Sequence, residues 1–151
     1  DVLELHRGLN LLPSDKRTAI VTRARAQIAS LELAYPDLRT TPNLDEWEDS
    51  RIDAVVEHFA HLPCPALASD GRCSVYRFRP ITCRTMGVPV ESDGMVHGAC
   101  SVQTAVPIVR PSPSVRTDYA RLAEVEAVAL SILRQAQPEA GDELLLPYGF
   151  V

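Results

Sequence analysis

The chain has 151 residues, a formal net charge of −5 and a pI near 5.3, with 46% apolar and 23% charged residues. That is the size and composition of one ordinary folded domain and too apolar for disorder as the default state. The acidic balance argues against a nucleic-acid surface, and no run approaches the roughly 20 apolar residues that would span a bilayer. Fourteen of the 15 basic residues are Arg, Lys16 being the exception.

The chain opens Asp1-Val-Leu-Glu-Leu5, acidic and amphipathic rather than signal-peptide-like, so a cytoplasmic location is the expectation. The first predicted helix starts near Ser14, read as an N-cap after Pro13, and runs to Tyr35 before Pro36. Ile20, Ala24, Ile28, Leu31 and Tyr35 recur at three- and four-residue steps and form its apolar face. A second helix is predicted from Leu44 to Ala60, with Asp45, Glu46, Glu48 and Asp49 at its positive end and Ile52, Val55, Val56 and Phe59 facing inward.

Residues 61–113 carry no long helical period and are rich in Pro, Gly, Cys and Arg. Asp70-Gly71 reads as a tight turn between Cys64–Leu67 and Arg72–Tyr76, and Ser92-Asp93-Gly94 as a turn joining Val88–Val90 to Met95-Val96. A segment this long without a core pattern needs another source of order, and a bound metal is one candidate. The third helix is predicted from Ser114 to Gln135, with Val115, Tyr119, Leu122, Val125, Val128 or Ala129, and Ile132 as a continuous apolar stripe that supplies core. The expected fold class is α+β, mainly helical. Three principal helices surround a Cys-rich loop and hairpin insert in one domain, divided as 1–60, 61–113 and 114–151.

All four cysteines, Cys64, Cys73, Cys83 and Cys100, fall inside the irregular segment, beside turn-forming Pro63, Pro65, Gly71 and Gly98. Thiolates on tight turns are how metal sites converge from separated points of a chain. Eight, nine and sixteen residues separate them and no Cys-x-x-Cys pair occurs, so neither a zinc ribbon nor a ferredoxin spacing is matched. Read from chemistry alone, a metal site and buried free thiols stand level, with disulfides a distant third for an intracellular chain. Among His58, His61 and His97, His97 is the best placed substitute ligand. Arg72, Arg77, Arg79 and Arg84 lie within thirteen residues. They suit a shell around an anionic thiolate site, a phosphate or carboxylate of a partner, or a solvated turn paired to acidic residues. Tyr76, Arg79 and Arg84 are the candidate second-shell or anion-binding residues.

The stretch Cys64-Pro-Ala-Leu67, Gly71-Arg-Cys73-Ser-Val-Tyr76 and Arg79-Pro80-Ile-Thr-Cys83-Arg84 resembles the second half of the signature of the zinc- or iron-chelating domain family, the YkgJ-like CxxCxxCC proteins. The resemblance covers about two-thirds of the chain, and Cys100 fits the further downstream cysteine usual there. It implies a cysteine-ligated zinc, iron or iron–sulfur site in a bacterial protein. The dense N-terminal cysteine run of that family is absent, so further ligands upstream of Asp1 are expected. Because a flagellin lysine methylase is among the relatives, the resemblance also raises an alternative: an iron–sulfur redox enzyme or a methyl-transfer enzyme. Against methyl transfer, the chain's only Gly-rich stretch is Gly94-Met-Val-His-Gly98, a weak cradle for a nucleotide-like cofactor. A third reading is an interaction module whose Arg-rich hairpin binds an anionic partner.

Overall fold

In a computed structural model, residues 1–92, 94–98, 106–137, 141 and 143–151 are described. Their secondary structure is mainly helical with one small sheet: α1 Val2–Asn10, α2 Ser14–Ala34, α3 Asp49–His58, α4 Ile81–Thr85, β1 Val90–Ser92, β2 Met95–His97 and α5 Pro113–Ala136. Short 3-10 turns lie at Pro36–Arg39, Tyr76–Phe78 and Leu146–Phe150. Contacts divide the chain into two compact units, Asp1–Arg79 with Ala140–Val151, and Pro80–Glu139.

In the first unit, α2 follows the expected period, with Ile20, Ala24 and Leu31 buried. Its N-cap is Pro13, however, and Ser14 is already the first helical residue. α1, not anticipated, adds Leu5 and Leu9 to the same core. These pack with Ile20, Ala24, Ala66, Val75 and Phe150, the last carried in by the C-terminal 3-10 turn. A second cluster joins Leu31, Leu38, Leu44 and Val55, with Tyr35, Trp47, Ile52, Phe59 and Tyr148 around it.

The second predicted helix is shorter than expected. Leu44 pairs with the C-terminal segment through an Asn43–Leu144 bridge, its N–H donating to the Glu143 carbonyl at 2.9 Å. Burial of Leu44 in that extended pairing keeps residues 44–48 out of the helix, which begins at Asp49. It ends at His58, with the N–H of Phe59 closing on the Val55 carbonyl.

In the second unit, α4 follows directly on Pro80, a residue that stops extension backwards because it lacks an N–H. β1 and β2 form an antiparallel hairpin where one was expected, with Val90 opposite His97 and Ser92 opposite Met95, so Ser92 stands in the strand rather than in the turn and β1 begins at Val90. Val109 lies parallel to Val90 on the other side, and Arg110 pairs with Glu91 at 2.7 Å. α5 is capped by Ser112, whose hydroxyl accepts from the Val115 N–H, and Pro113 occupies its first turn. The helix forms where its period places it, but it contributes no core. None of its residues is buried, and Tyr119, Leu122, Val125, Val128 and Ile132 are each more than 60% exposed. A five-residue helix and two three-residue strands are the only other regular elements described in that unit, too small a surface to cover a six-turn stripe. No described helix is long and apolar enough to cross a membrane.

Candidate metal centre

The site is built on the turn that carries Cys64. The N–H of Leu67 donates to the Cys64 carbonyl at 2.9 Å, closing a turn over Cys64–Leu67. The chain then runs antiparallel to its own continuation: Ala68 N–H donates to Arg72 O and Ser74 N–H to Ala66 O, both at 2.8 Å, with Leu67 opposite Cys73. Gly71, at φ 80°, supplies the left-handed position that lets the hairpin reverse. Asp70 Oδ1 accepts the Arg72 N–H at 3.0 Å across the same turn.

This hairpin brings Cys64 and Cys73 together although eight residues separate them. Both are half-buried and pack on the first core cluster beside Ala66 and Val75. Burial pushes the Cys64 thiol above its ordinary value, and the neighbouring Cys73 adds to that. Backbone N–H groups of Ala66 and Leu67 directed at the sulfur, with the Arg23 guanidinium, pull the other way. The sulfur therefore sits among groups that favour its thiolate, inside surroundings that disfavour an unpaired negative charge.

Two side chains of α2 hold the turn. Arg23 Nε donates to the Pro65 carbonyl at 2.8 Å, and Gln27 Nε2 to the Pro63 carbonyl at 2.7 Å. Cys64 is thus pinned by the peptides on both sides of it. Sequence reasoning missed both residues. Their only signal was the four-residue spacing that places them together on one flank of the face made by Ile20, Ala24 and Leu31.

Cys83 is half-buried on α4, and Arg84 is exposed on the same helix, both in the second unit. His97 is exposed in β2. Cys100 lies outside the described residues. Tyr76 is 61% exposed, and the Arg79 guanidinium stacks 3.9 Å above its ring, which gives that Tyr–Arg pair a cation–π contact. His58 stacks on Phe59, with ring centroids 4.6 Å apart, and His61 Nδ1 meets the His58 carbonyl at 3.1 Å, so both are engaged at the end of α3. Among the described residues, no three His, Cys, Asp or Glu side chains converge as a metal-binding group.

Gly98, after β2, makes a close backbone contact. Its carbonyl accepts the Gly87 N–H at 2.8 Å, and a Cβ there would stand 2.8 Å from the carbonyl oxygens of Thr85 and Val88. Gly98 is therefore held against the turn that ends α4.

No protein-family model matches this chain, and neither a curated protein nor a solved structure matches it.

Proposed function

We propose that this is a cysteine-ligated metal-binding protein that takes zinc or iron, the iron as an ion or as an iron–sulfur cluster. The observation that carries the reading is the Cys64–Cys73 pair, two thiols from one hairpin with backbone N–H groups and Arg23 arranged around the Cys64 sulfur. The donor chemistry fits. Thiolates suit zinc and iron–sulfur iron over hard cations, and the burial that disfavours a bare thiolate is relieved when a cation replaces its proton. Cys83 and Cys100 are the candidates for the remaining ligands, on the strength of their place in the sequence motif.

A metal bound there supplies a cross-link that orders the loops or, as an iron–sulfur cluster, a one-electron redox centre. The protein's own contribution is to hold the Cys64 turn in place, through Arg23 and Gln27, and to screen both thiols on the core side with Ala66 and Val75. Elemental analysis with an ultraviolet–visible spectrum of anaerobically purified protein tests the reading. Expected is near-stoichiometric zinc without colour, or iron with broad visible absorption bleached by dithionite, and loss of the metal in Cys64→Ser and Cys73→Ser. Absence of metal from the parent protein, with helicity and a cooperative melt unchanged after all four cysteines become Ser, refutes it.

A further inference from the structure

We infer that Cys64 and Cys73 form an oxidisable dithiol, closing to an intrachain disulfide when no metal holds them, so that oxidation and metal occupancy exclude each other. Closure of the disulfide rests on the hairpin alone, whereas the competition with metal rests on the reading proposed above. Four backbone and side-chain bonds fix the two sulfurs' supports. Pro63 and Pro65 carbonyls are tied to α2 on either side of Cys64, and the Ala68–Arg72 and Ser74–Ala66 bonds bracket Cys73. Cys73 stands opposite Leu67, which closes the turn begun at Cys64, and both cysteine side chains lie on the same patch of core. Neither is fully enclosed, so a small oxidant reaches them. Pairing between thiols already held together avoids the entropy of bringing two free thiols into contact.

The oxidant class is a peroxide. One sulfur attacks a peroxide oxygen as the O–O bond breaks, giving a sulfenic acid and one water. The second sulfur displaces the sulfenic hydroxyl as a second water and the S–S bond forms. Two thiols and one hydrogen peroxide thus become one disulfide and two waters, the two electrons passing from sulfur to the peroxide oxygens. A metal held by Cys64 and Cys73 would occupy the electron pairs that this attack requires.

The test uses the full chain, chelator-stripped, then treated with hydrogen peroxide with and without added zinc, alkylated and mapped by mass spectrometry. The expected result is a Cys64–Cys73 linked peptide lighter by two hydrogens. It should form at least about tenfold faster than mixed-disulfide or higher-oxide products of the single variant C73S. Zinc added first should slow it by a similar factor. A C83S/C100S double variant, which keeps only the pair, should give the same product as a monomer. Recovery of Cys64 and Cys73 as alkylated free thiols, or their linkage to Cys83 or Cys100 instead of each other, overturns the inference. Should the double variant fail to fold, the map of the unaltered chain decides alone. Formation of the disulfide at an equal rate with and without zinc leaves the dithiol standing and refutes the competition with zinc, whereas the metal reading itself stands or falls on the elemental analysis.

Discussion

Replacing Arg23 with Ala removes the one charged group that ties α2 to the Cys64 turn. Its Nε donates at 2.8 Å to the carbonyl of Pro65, a residue among the most completely buried in the protein. A hydrogen bond from a charged donor contributes about 1.5–3 kcal/mol, and leaving a buried carbonyl without a partner costs toward the upper part of that range. Water can reach the exposed side of Arg23 and recover some of the loss, so a destabilisation of about 2 kcal/mol is expected. The Cys64 thiol also loses a nearby positive charge and moves further up, which weakens thiolate ligation. Metal affinity should therefore fall about 10- to 100-fold, as it does when a ligand's supporting contact is removed. Urea unfolding of the metal-free protein, with the midpoint shifted at constant slope, reads the first effect, and competition with a chromophoric zinc chelator reads the second. Arg25→Ala, an exposed neighbour on the same helix, is the control and should change stability by less than about 0.5 kcal/mol. If Arg23→Ala is no more destabilising than this control, the Arg23–Pro65 bond does not hold the turn and the reasoning fails.

Truncation of two leucines separates core from surface. Leu5→Ala, at 2% exposure, should cost about 2–5 kcal/mol. Leu122→Ala, at 67% exposure on α5, should cost less than about 1 kcal/mol in the same denaturation assay, and a core-sized loss there would show that the α5 stripe is covered. Gly98→Ala places a Cβ against the Thr85 and Val88 carbonyls at a residue with φ 70°, so about 1–3 kcal/mol of strain should loosen this contact. Faster hydrogen exchange at the Gly87 N–H, which is bonded to the Gly98 carbonyl, is the readout. Tyr148 supplies a pH test. Burial and the adjacent Glu32 carboxylate push its hydroxyl from 10.0 up to about 12. The hydroxyl is enclosed and makes no hydrogen bond of good geometry, so burial and the Glu32 charge, rather than a bond to Glu32, account for the shift. A folded value above the unfolded one stabilises the fold below pH 10 and is lost as pH rises from 10 to about 12. Two units correspond to at most about 2.7 kcal/mol, which solvent screening at this half-exposed ring reduces to about 1 kcal/mol. Tyr148→Phe should remove that component of the alkaline loss, and Glu32→Gln should lower the pH at which tyrosinate absorbance appears. An unchanged alkaline profile in both variants would contradict the assignment.

Periodicity in the sequence was enough to place α2 and α5, because a three- and four-residue recurrence of apolar side chains is a local property of the chain. The Asp70-Gly71 turn and the hairpin ending at Gly94 were legible for a similar reason, since short turns are decided by a few residues that tolerate them. The short α4 was not, having too few residues to show a period, and α3 lost its first turn because Leu44 pairs with a strand partner a hundred residues away in sequence.

The cysteines divide in the same way. Their clustering around turns was plain in the sequence, but spacing alone did not say which of them meet. The hairpin at Asp70-Gly71 joins Cys64 and Cys73, and long-range partners hold its first turn: Arg23 reaches Pro65 across 42 positions and Gln27 reaches Pro63 across 36. Helix α5 shows the converse. Its pattern states that one face is apolar, and the tertiary structure alone decides whether that face is buried, because burial depends on how much surface other elements bring to it. Local rules thus determined where the elements are and which two thiols one hairpin joins, while which faces are covered and what holds the Cys64 turn were set by packing that no window of sequence contains.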